Sequence, residues 1–236
     1  TFVIKPLQAE FHCSDSAISF LASAIFLGML FGSVFMGPLS DIIGRKKSFL
    51  MCMILVNVGG FGSISSVSAW IFLVYRFIVG IGVGGLHISV VILTEFAPMK
   101  HRALLITVLQ GFWSVGVLLE VSLAWLLKGS SWKALVFFSA LPALIATIAV
   151  LWVPESPLYL TSKGKFHEAK RVFAQMAQSN RKQVDIQGIL LHELSSSSHS
   201  STFVGRLKSL FSIGVYRRTL FCLTYLWFVG SFNYCG

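Results

Sequence analysis

The chain has 236 residues, of which 55% are hydrophobic and 12% are charged, and its mean hydropathy is +0.78. This composition excludes an ordinary soluble domain and predicts a membrane protein. The net charge of +10 does not indicate nucleic acid, because the basic residues lie in short loops between apolar runs and in one long polar segment. We therefore expect a lipid bilayer, and no nucleic acid, around the protein.

The apolar runs give the predicted elements in chain order. Five runs are each long enough to cross the hydrocarbon core, which takes about 20 helical residues. They cover residues 18–39, 49–67, 70–93, 104–127 and 135–153, and a sixth begins near Thr219. None alternates apolar with polar residues as a membrane-spanning strand does. The predicted fold class is therefore an all-α multi-pass membrane protein, built as a helix bundle.

The distribution of Lys and Arg predicts the orientation. Fifteen lie on one side of the predicted spans, whereas only Lys5, Lys128 and Lys133 lie on the other, so the richer side is expected to face the cytoplasm. Since an outer start implies at least one span upstream, we expect a fragment of a longer protein. The predicted domains are an outer or lumenal loop (1–17), a five-span half-bundle (18–153), a cytoplasmic central loop (154–218) and the truncated start of a second half-bundle (219–236).

The central loop has two parts of different composition. Its first part repeats apolar residues with helical spacing, which predicts an amphipathic helix over residues 165–178. Its second part contains the sequence SSSSHSS at residues 195–201, which predicts a flexible linker.

Gly80, Gly82 and Gly85 have the G-x-G-x-x-G spacing of a dinucleotide-binding turn, which needs a strand, a tight turn and an exposed helix start. Here the glycines lie inside an apolar run, where unsatisfied backbone amides cost several kcal/mol each. We therefore predict no nucleotide cofactor at residues 80–85.

Small residues inside a span let a neighbouring helix approach closely. The predicted packing positions are Gly28, Gly32, Gly80, Gly82 and Gly84, with Gly111 and Gly116 as further small positions.

Arg76 and Glu120 are ionisable residues inside predicted spans, where a charge costs at least about 2.5 kcal/mol. Both lie roughly 10 Å below the same surface, at about 1.5 Å per residue. We hypothesise that they pair or share a polar cavity; the alternative is that each reaches the interface. His87 and Gln110 form a second polar level. The predicted solute-path or coupling residues are Arg76, His87, Gln110, Glu120 and Asn233.

The sequence gives little support for an enzyme. Cys13, Cys52, Cys222 and Cys235 have no metal-ligand spacing, and no nucleophile and base stand at a usable spacing. We therefore predict no catalytic residue, no metal site and no cofactor.

The loop GPLSDIIGRKKS, residues 37–48, resembles the signature loop of the major facilitator superfamily, G-x-x-x-D-R-x-G-R-K. Three further stretches follow in the order of that family. YRFIVGIGVGG resembles its fourth-span R-x-x-x-G-x-G motif, TEFAPMKHR its E-x-x-P-x-x-x-R junction, and PESPLYL its PESPR box. Within the superfamily the chain looks most like the synaptic-vesicle-2-related branch, next to the organic cation and sugar porter branches.

The resemblance implies spans two to six and the start of span seven of a twelve-span protein. It implies alternating access, in which two half-bundles rock about a central solute site. It also implies a cytoplasmic latch that forms when the outer side is open and breaks when the inner side opens. The latch residues carried over are Gly37, Asp41, Gly44, Arg45, Lys46, Glu95, Arg102 and Glu155.

The implied function is transport of a small organic solute, including organic ions, across the plasma membrane or a vesicle membrane. The alternative is a transporter-like membrane protein that carries nothing and acts as a vesicle or trafficking partner. Ile42 and Leu158 support that alternative, because both stand where the family motifs have basic residues. Val90 and Ile92 replace the Pro and Tyr of sugar porters, which makes a hexose solute less expected.

Overall fold

The computed structural model of the chain describes residues 4–11 and 15–179, which all belong to one compact unit, Thr1–Leu191. Within these residues the regular structure is helical. The linker at 195–201, the sixth apolar run and Asn233 lie outside the described residues. The α-helices are α1 (Ile4–Phe11), α2 (Asp15–Ile43), α3 (Arg45–Ile64), α4 (Ala69–Gly84), α5 (Ile88–Phe96), α6 (Arg102–Leu126), α7 (Trp132–Val150), α8 (Pro157–Ser162) and α9 (Phe166–Ser179).

Within the described part of the chain, five helical stretches are long and apolar enough to cross a membrane, which confirms the five full spans predicted there. A helix satisfies its own backbone hydrogen bonds, so it is the form in which such runs can enter lipid. The stretches are Ser23–Ile43, Arg45–Ile64, Ala69–Phe96, Met99–Leu126 and Trp132–Val150. The third one joins α4 to α5 through a 3₁₀ turn, Gly85–His87.

The N-terminal segment differs from the loop expected at residues 1–17, because it contains the helix α1, and α2 already begins at Asp15. An isolated helix of 8 residues is marginal in water. Here Leu7 is only 2% exposed and packs in a cluster of buried apolar residues: Leu21, Phe72, Trp132 and Val136. Tertiary contacts of this kind stabilise a helix that local sequence does not predict.

Helices α2 and α4 approach each other closely where glycines face each other. A methyl group built on Gly28 would lie 2.9 Å from the Gly80 Cα atom, and one on Gly80 would lie 2.9 Å from the Gly28 Cα atom. Methyl groups on Gly32 and Gly84 would collide with the backbones of Ile81 and Met29. The missing side chains therefore allow backbone contact between two spans.

Helix α6 has different surroundings from α4. None of its residues is buried among the described residues, and methyl groups on Gly111 and Gly116 would meet nothing within 4 Å. These two glycines therefore occupy small positions that do not contact another described helix.

Helix α9 occupies the segment where an amphipathic helix was predicted, with bounds one residue later. Its Ala169 and Val172 are buried and pack with Leu160 of α8, and Phe96 packs against this cluster. The pair α8–α9 is thereby attached to the end of the third span, at Phe96.

Candidate functional site

The turn between α2 and α3 depends on Gly44. Its φ angle is +112°, a backbone conformation that side chains with a Cβ atom rarely adopt. A methyl group on Gly44 would also collide with the Glu155 carboxylate. A glycine at this position therefore permits both the turn and the close approach of Glu155.

Arg45 begins α3 and joins three elements. Its guanidinium forms a salt bridge with Asp41 at the end of α2 and donates a hydrogen bond to the Ser40 hydroxyl at 2.7 Å. Its Nε atom also lies 3.4 Å from the Oε1 atom of Glu95 in α5. The Arg45 side chain is 20% exposed, so the ion pairs lie at a partly solvated rim.

Glu155 holds the start of α3 from the opposite side. Its Oε1 atom accepts hydrogen bonds from the backbone N–H groups of Lys46, at 2.9 Å, and Ser156, at 3.1 Å. A carboxylate at a helix N-terminus satisfies free N–H groups and interacts favourably with the helix dipole. The Lys46 ammonium donates a hydrogen bond to the Leu151 carbonyl at 2.7 Å, which ties the same turn to the end of α7.

Tyr159 of α8 adds a contact that the motif comparison did not single out. Its hydroxyl donates a hydrogen bond to the Ile42 carbonyl at 2.8 Å, which satisfies a free carbonyl in the last turn of α2. Burial, followed by the nearby Glu155 charge, raises the pKa of the Tyr159 hydroxyl above its ordinary value. The hydroxyl therefore remains a donor at neutral pH. Glu155 and Tyr159 together hold both sides of the α2–α3 turn.

Two of the predicted latch residues make no direct contact with the charged side chains of this cluster among the described residues. A methyl group on Gly37 would meet nothing within 4 Å, and the Gly37 carbonyl reaches the cluster only through the Ser40 hydroxyl, which donates a hydrogen bond to it at 2.7 Å. Arg102 donates a hydrogen bond from Nε to the Ala97 carbonyl at 3.2 Å, and the described residues give it no salt bridge. The structure therefore brings together six of the eight latch residues: Asp41, Gly44, Arg45, Lys46, Glu95 and Glu155.

The solute-path residues are dispersed among the spans. The Arg76 guanidinium lies 4.7 Å from the centroid of the Phe72 ring. Glu120 accepts a hydrogen bond at 2.9 Å from the hydroxyl of Ser139 in α7, a residue that the sequence analysis did not name. The Glu120 charge attracts Arg76, but within the described ranges the two side chains are not within salt-bridge distance.

The second polar level has fewer contacts. The Nδ1 atom of His87 lies 3.3 Å from the Gly84 carbonyl oxygen, and the His87 side chain is exposed. Gln110 is exposed on α6. Both side chains can therefore meet a molecule that enters beside these helices.

Asn57 is a buried polar residue that the motif search also missed. Its Nδ2 atom donates a hydrogen bond at 2.7 Å to the Thr147 hydroxyl, which links α3 to α7 inside the membrane-spanning region. The position of Asn57 within an otherwise apolar run could have predicted this contact, since polar residues in lipid form hydrogen bonds between helices.

Comparison with known proteins identifies relatives of the chain among membrane transporters. Residues 3–235 match the family model described as sugar (and other) transporter. The synaptic vesicle 2-related protein of Xenopus laevis is 30% identical over 240 residues, which cover 99% of this chain and 42% of that protein. Organic cation/carnitine transporter 7 of Arabidopsis thaliana is 33% identical over 195 residues, which cover 82% of this chain and 39% of that protein.

A solved structure shares the fold. The proton:xylose symporter XylE bound to 6-bromo-6-deoxy-D-glucose superposes with a TM-score of 0.71 and 24% identity, over 91% of this chain and 52% of that chain. The present chain therefore spans less than half the length of the two curated relatives above and about half of this symporter.

Proposed function

Because the chain belongs to the sugar (and other) transporter family of the major facilitator superfamily, we propose that the full-length protein moves a small organic solute across a membrane by alternating access. Organic ions are the preferred solute class, since a relative at 33% identity is named an organic cation/carnitine transporter. The multi-pass chain resides in the plasma membrane or in an intracellular vesicle, as its family and its spans indicate.

The cytoplasmic latch carries this proposal. Arg45 connects the ends of α2 and α5, while Glu155 connects the start of α3 to the segment after α7. The carboxylates of Asp41 and Glu95 are 33% and 13% exposed, so water can replace each contact when the latch opens. Charge-assisted hydrogen bonds at such a rim are strong enough to favour one state and can still exchange partners.

A flux measurement on the full-length protein tests the latch. Replacing Asp41 by Asn and Arg45 by Gln removes both charges of one salt bridge, and we expect uptake to fall while membrane expression is maintained. A matched control is Lys165→Gln with Glu168→Gln, which removes an exposed pair 3.4 Å apart on the same side of the protein. Unchanged uptake in the Asp41 and Arg45 variant would refute the latch.

The solute path is the second part of the proposal. We assign it to Arg76, Glu120, His87 and Gln110, with Asn233 as a further candidate beyond the described residues. Arg76 and Glu120 place opposite charges at similar depth, where the low dielectric strengthens their effect on a charged solute. Glu120 is also the candidate for proton coupling, because it is a carboxylate inside a span and accepts a hydrogen bond from the Ser139 hydroxyl.

A double-mutant cycle tests whether the two charges act together. Uptake of an organic cation, an organic anion and a hexose is compared for Arg76→Gln, Glu120→Gln and the double variant. A shared role predicts that the two losses do not add, whereas independent roles predict that they do. A loss confined to one of the three solutes identifies the solute class.

The alternative function is a membrane protein that binds a vesicle or trafficking partner and transports nothing. The apolar residues Ile42 and Leu158, at positions where the family motifs are basic, favour it. Partner binding that persists when flux is absent for all three solute classes would support this alternative. Saturable flux of any one of them would exclude it.

A further inference from the structure

We propose that the third span contains a hinge at Leu86–His87 and that the Arg45–Glu95 ion pair holds the segment beyond the hinge, α5, in place. The latch would then release a short helix inside the half-bundle, in addition to any rocking of the half-bundle as a rigid body. The role of this motion in opening the latch during transport rests on the proposed function. The motion itself is measured without any flux.

The first observation is the break in the span. Helix α4 ends at Gly84, a 3₁₀ turn follows at Gly85–His87, and α5 begins at Ile88. A 3₁₀ turn in the middle of a helix has poorer hydrogen-bond geometry, and such stretches often mark hinges. The residues of this span, Ala69–Phe96, include no proline, and the turn begins at the Gly84–Gly85 pair, a kind of site at which helices kink.

His87 is placed to stabilise that break. Its Nδ1 atom lies 3.3 Å from the Gly84 carbonyl oxygen, one of the backbone groups at the end of α4. Backbone groups freed by a break in a spanning helix need such partners, because lipid offers none. The side chain itself is exposed, so it can move with the turn without disturbing a packed core.

The second observation is the difference in packing on the two sides of the turn. Before it, α4 is fixed by backbone contact. A methyl group on Gly82 would lie 2.7 Å from the Cys52 carbonyl oxygen, and one on Gly84 would lie 2.9 Å from the Met29 Cα atom. Gly85 is equally confined, since a methyl group there would collide with the Cys52 sulfur. Movement can therefore begin only after Gly85.

Beyond the turn, α5 is held less tightly. Ile88 is its only fully buried residue, and Val91 is 37% exposed. Helical segments with few buried contacts open at lower free energy than the core of a protein. Ile88 and Ile92 pack on the cluster around Met36 and Cys52, so α5 would tilt by sliding over this apolar surface once its far end is released.

The third observation is how that far end is held. Glu95 stands next to the last residue of α5, and its Oε1 atom is 3.4 Å from Arg45 Nε. Its Oε2 atom is buried and has no hydrogen-bond partner among the residues that the structure describes. A buried carboxylate oxygen left unpaired is costly, which predicts a second arrangement in which it is paired or hydrated. The ion pair is thus the charged contact that holds the far end of α5, beside the packing of Phe96 against the α8–α9 cluster, and its loss would leave that end with the weaker hold.

Electron paramagnetic resonance distances between spin labels test the hinge in the full-length protein, with its accessible native cysteines replaced by serine. One label pair joins Ile54 of α3 to Thr94 of α5, and the reference pair joins Ile54 to Val74 of α4. Glu95→Gln removes the charge at nearly constant shape. A second release variant is Arg45→Gln, in case the first does not fold. Glu168→Gln is the matched control, because it removes an exposed carboxylate outside the latch.

Thr94 lies seven residues beyond His87, or about 10 Å along the helix. A kink of about 20° would therefore displace it by roughly 3 to 4 Å. We expect the Ile54–Thr94 distance to change by that amount in either release variant while the Ile54–Val74 distance is unchanged. Two unchanged distances, or equal changes in both, would overturn the hinge. Since flux is not measured, such a result would leave the transport proposal intact.

Discussion

The two ends of the half-bundle are held together by different forces. At the end predicted to face outward, called the outer end, Trp132 is 5% exposed, meets Phe72 edge-to-face with ring centroids 5.8 Å apart, and packs with Leu7 of α1. At the end predicted to face the cytoplasm, called the cytoplasmic end, the corresponding contacts are the ion pairs of Arg45 and the hydrogen bonds of Glu155. At the outer end α1 is held mainly by apolar packing, whereas at the cytoplasmic end the ends of the spans are joined by exchangeable polar contacts beside the apolar α8–α9 cluster.

If the protein works by the proposed alternating access, the difference predicts that the cytoplasmic end is the one that opens. Apolar packing near water is driven by the hydrophobic effect and has no alternative partner of equal value except another apolar surface. A carboxylate or guanidinium at a wet rim can instead exchange one partner for another at low net cost. We therefore expect stability to depend on the outer end and conformational state to depend on the cytoplasmic end.

The largest expected effect is the loss of the outer cluster. Trp132→Ala should destabilise the protein by about 3 kcal/mol or more, as truncation of a buried aromatic side chain does, because it removes contacts to α1 and α4 together. Thermal unfolding in detergent, followed by size-exclusion chromatography, measures the change. The control is Trp152→Ala, since Trp152 is 78% exposed. Equal losses in the two variants would contradict the packing role of the outer end.

The second largest effect is expected at the glycine contact between α2 and α4. In Gly80→Ala the added methyl group would meet the Gly28 Cα atom at 2.9 Å, so α2 and α4 must separate, at a cost of about 1 to 3 kcal/mol. Gly111→Ala is the matched variant on α6, where a methyl group meets nothing within 4 Å of the described residues. Its melting temperature should stay at the wild-type value or rise, because Ala favours the helix. A similar fall in both variants would show that glycine in these spans serves some purpose other than close packing.

Gly80 and Gly111 show how much of the fold can be predicted from the sequence. The five spans could be predicted because length and apolarity are local properties of each run. The contact made by Gly80 and the open space around Gly111 could not, because both are glycines inside apolar runs and only the neighbouring helix distinguishes them. Helix α1 was predicted as a loop for the same reason, since its stability comes from Leu21, Phe72 and Trp132 rather than from its own eight residues.

The residues of the proposed latch could be predicted from the sequence, but the contacts among them could not. The resemblance named Arg45, Glu95 and Glu155, yet it did not indicate that Tyr159 completes the α2–α3 turn or that Arg102 stands apart from the ion pairs. Those facts depend on side-chain directions set by α8 and by the turn before α6. A motif records which residue types occur and leaves open which atoms meet.

A smaller effect is expected from Tyr159→Phe at the cytoplasmic end. The change removes the hydrogen bond to the Ile42 carbonyl but keeps the ring, so the expected loss of stability is about 1 kcal/mol. If polar contacts at this end control conformation, the variant should also shift the accessibility of the cytoplasmic rim to a water-soluble thiol reagent, measured at an introduced cysteine at Lys47. A stability loss as large as that of Trp132→Ala would remove the contrast between the two ends.

The smallest effect concerns the charged contact at the outer end. Glu10 accepts a hydrogen bond from the Trp132 indole N–H group, and its Oε1 atom lies 3.4 Å from the Lys133 ammonium. The Trp132 hydrogen bond, with a further contribution from the Lys133 charge, holds the pKa of Glu10 below its ordinary value of 4.5. Because the folded-state pKa is the lower one, the contact stabilises the fold above pH 4.5 and ceases to do so as the pH falls through the folded-state value.

Glu10→Gln should therefore narrow the difference between the melting temperatures measured at neutral pH and below pH 4.5, with a small loss at neutral pH. The effect is small because the Glu10 side chain is 44% exposed and water screens its charge. If Glu10→Gln instead abolished the fold of α1, as judged by protease resistance of the N-terminal segment, the outer end would depend on charge as the cytoplasmic end does. Retention of α1 in Glu10→Gln, with its loss in Trp132→Ala, would assign the outer contact to packing.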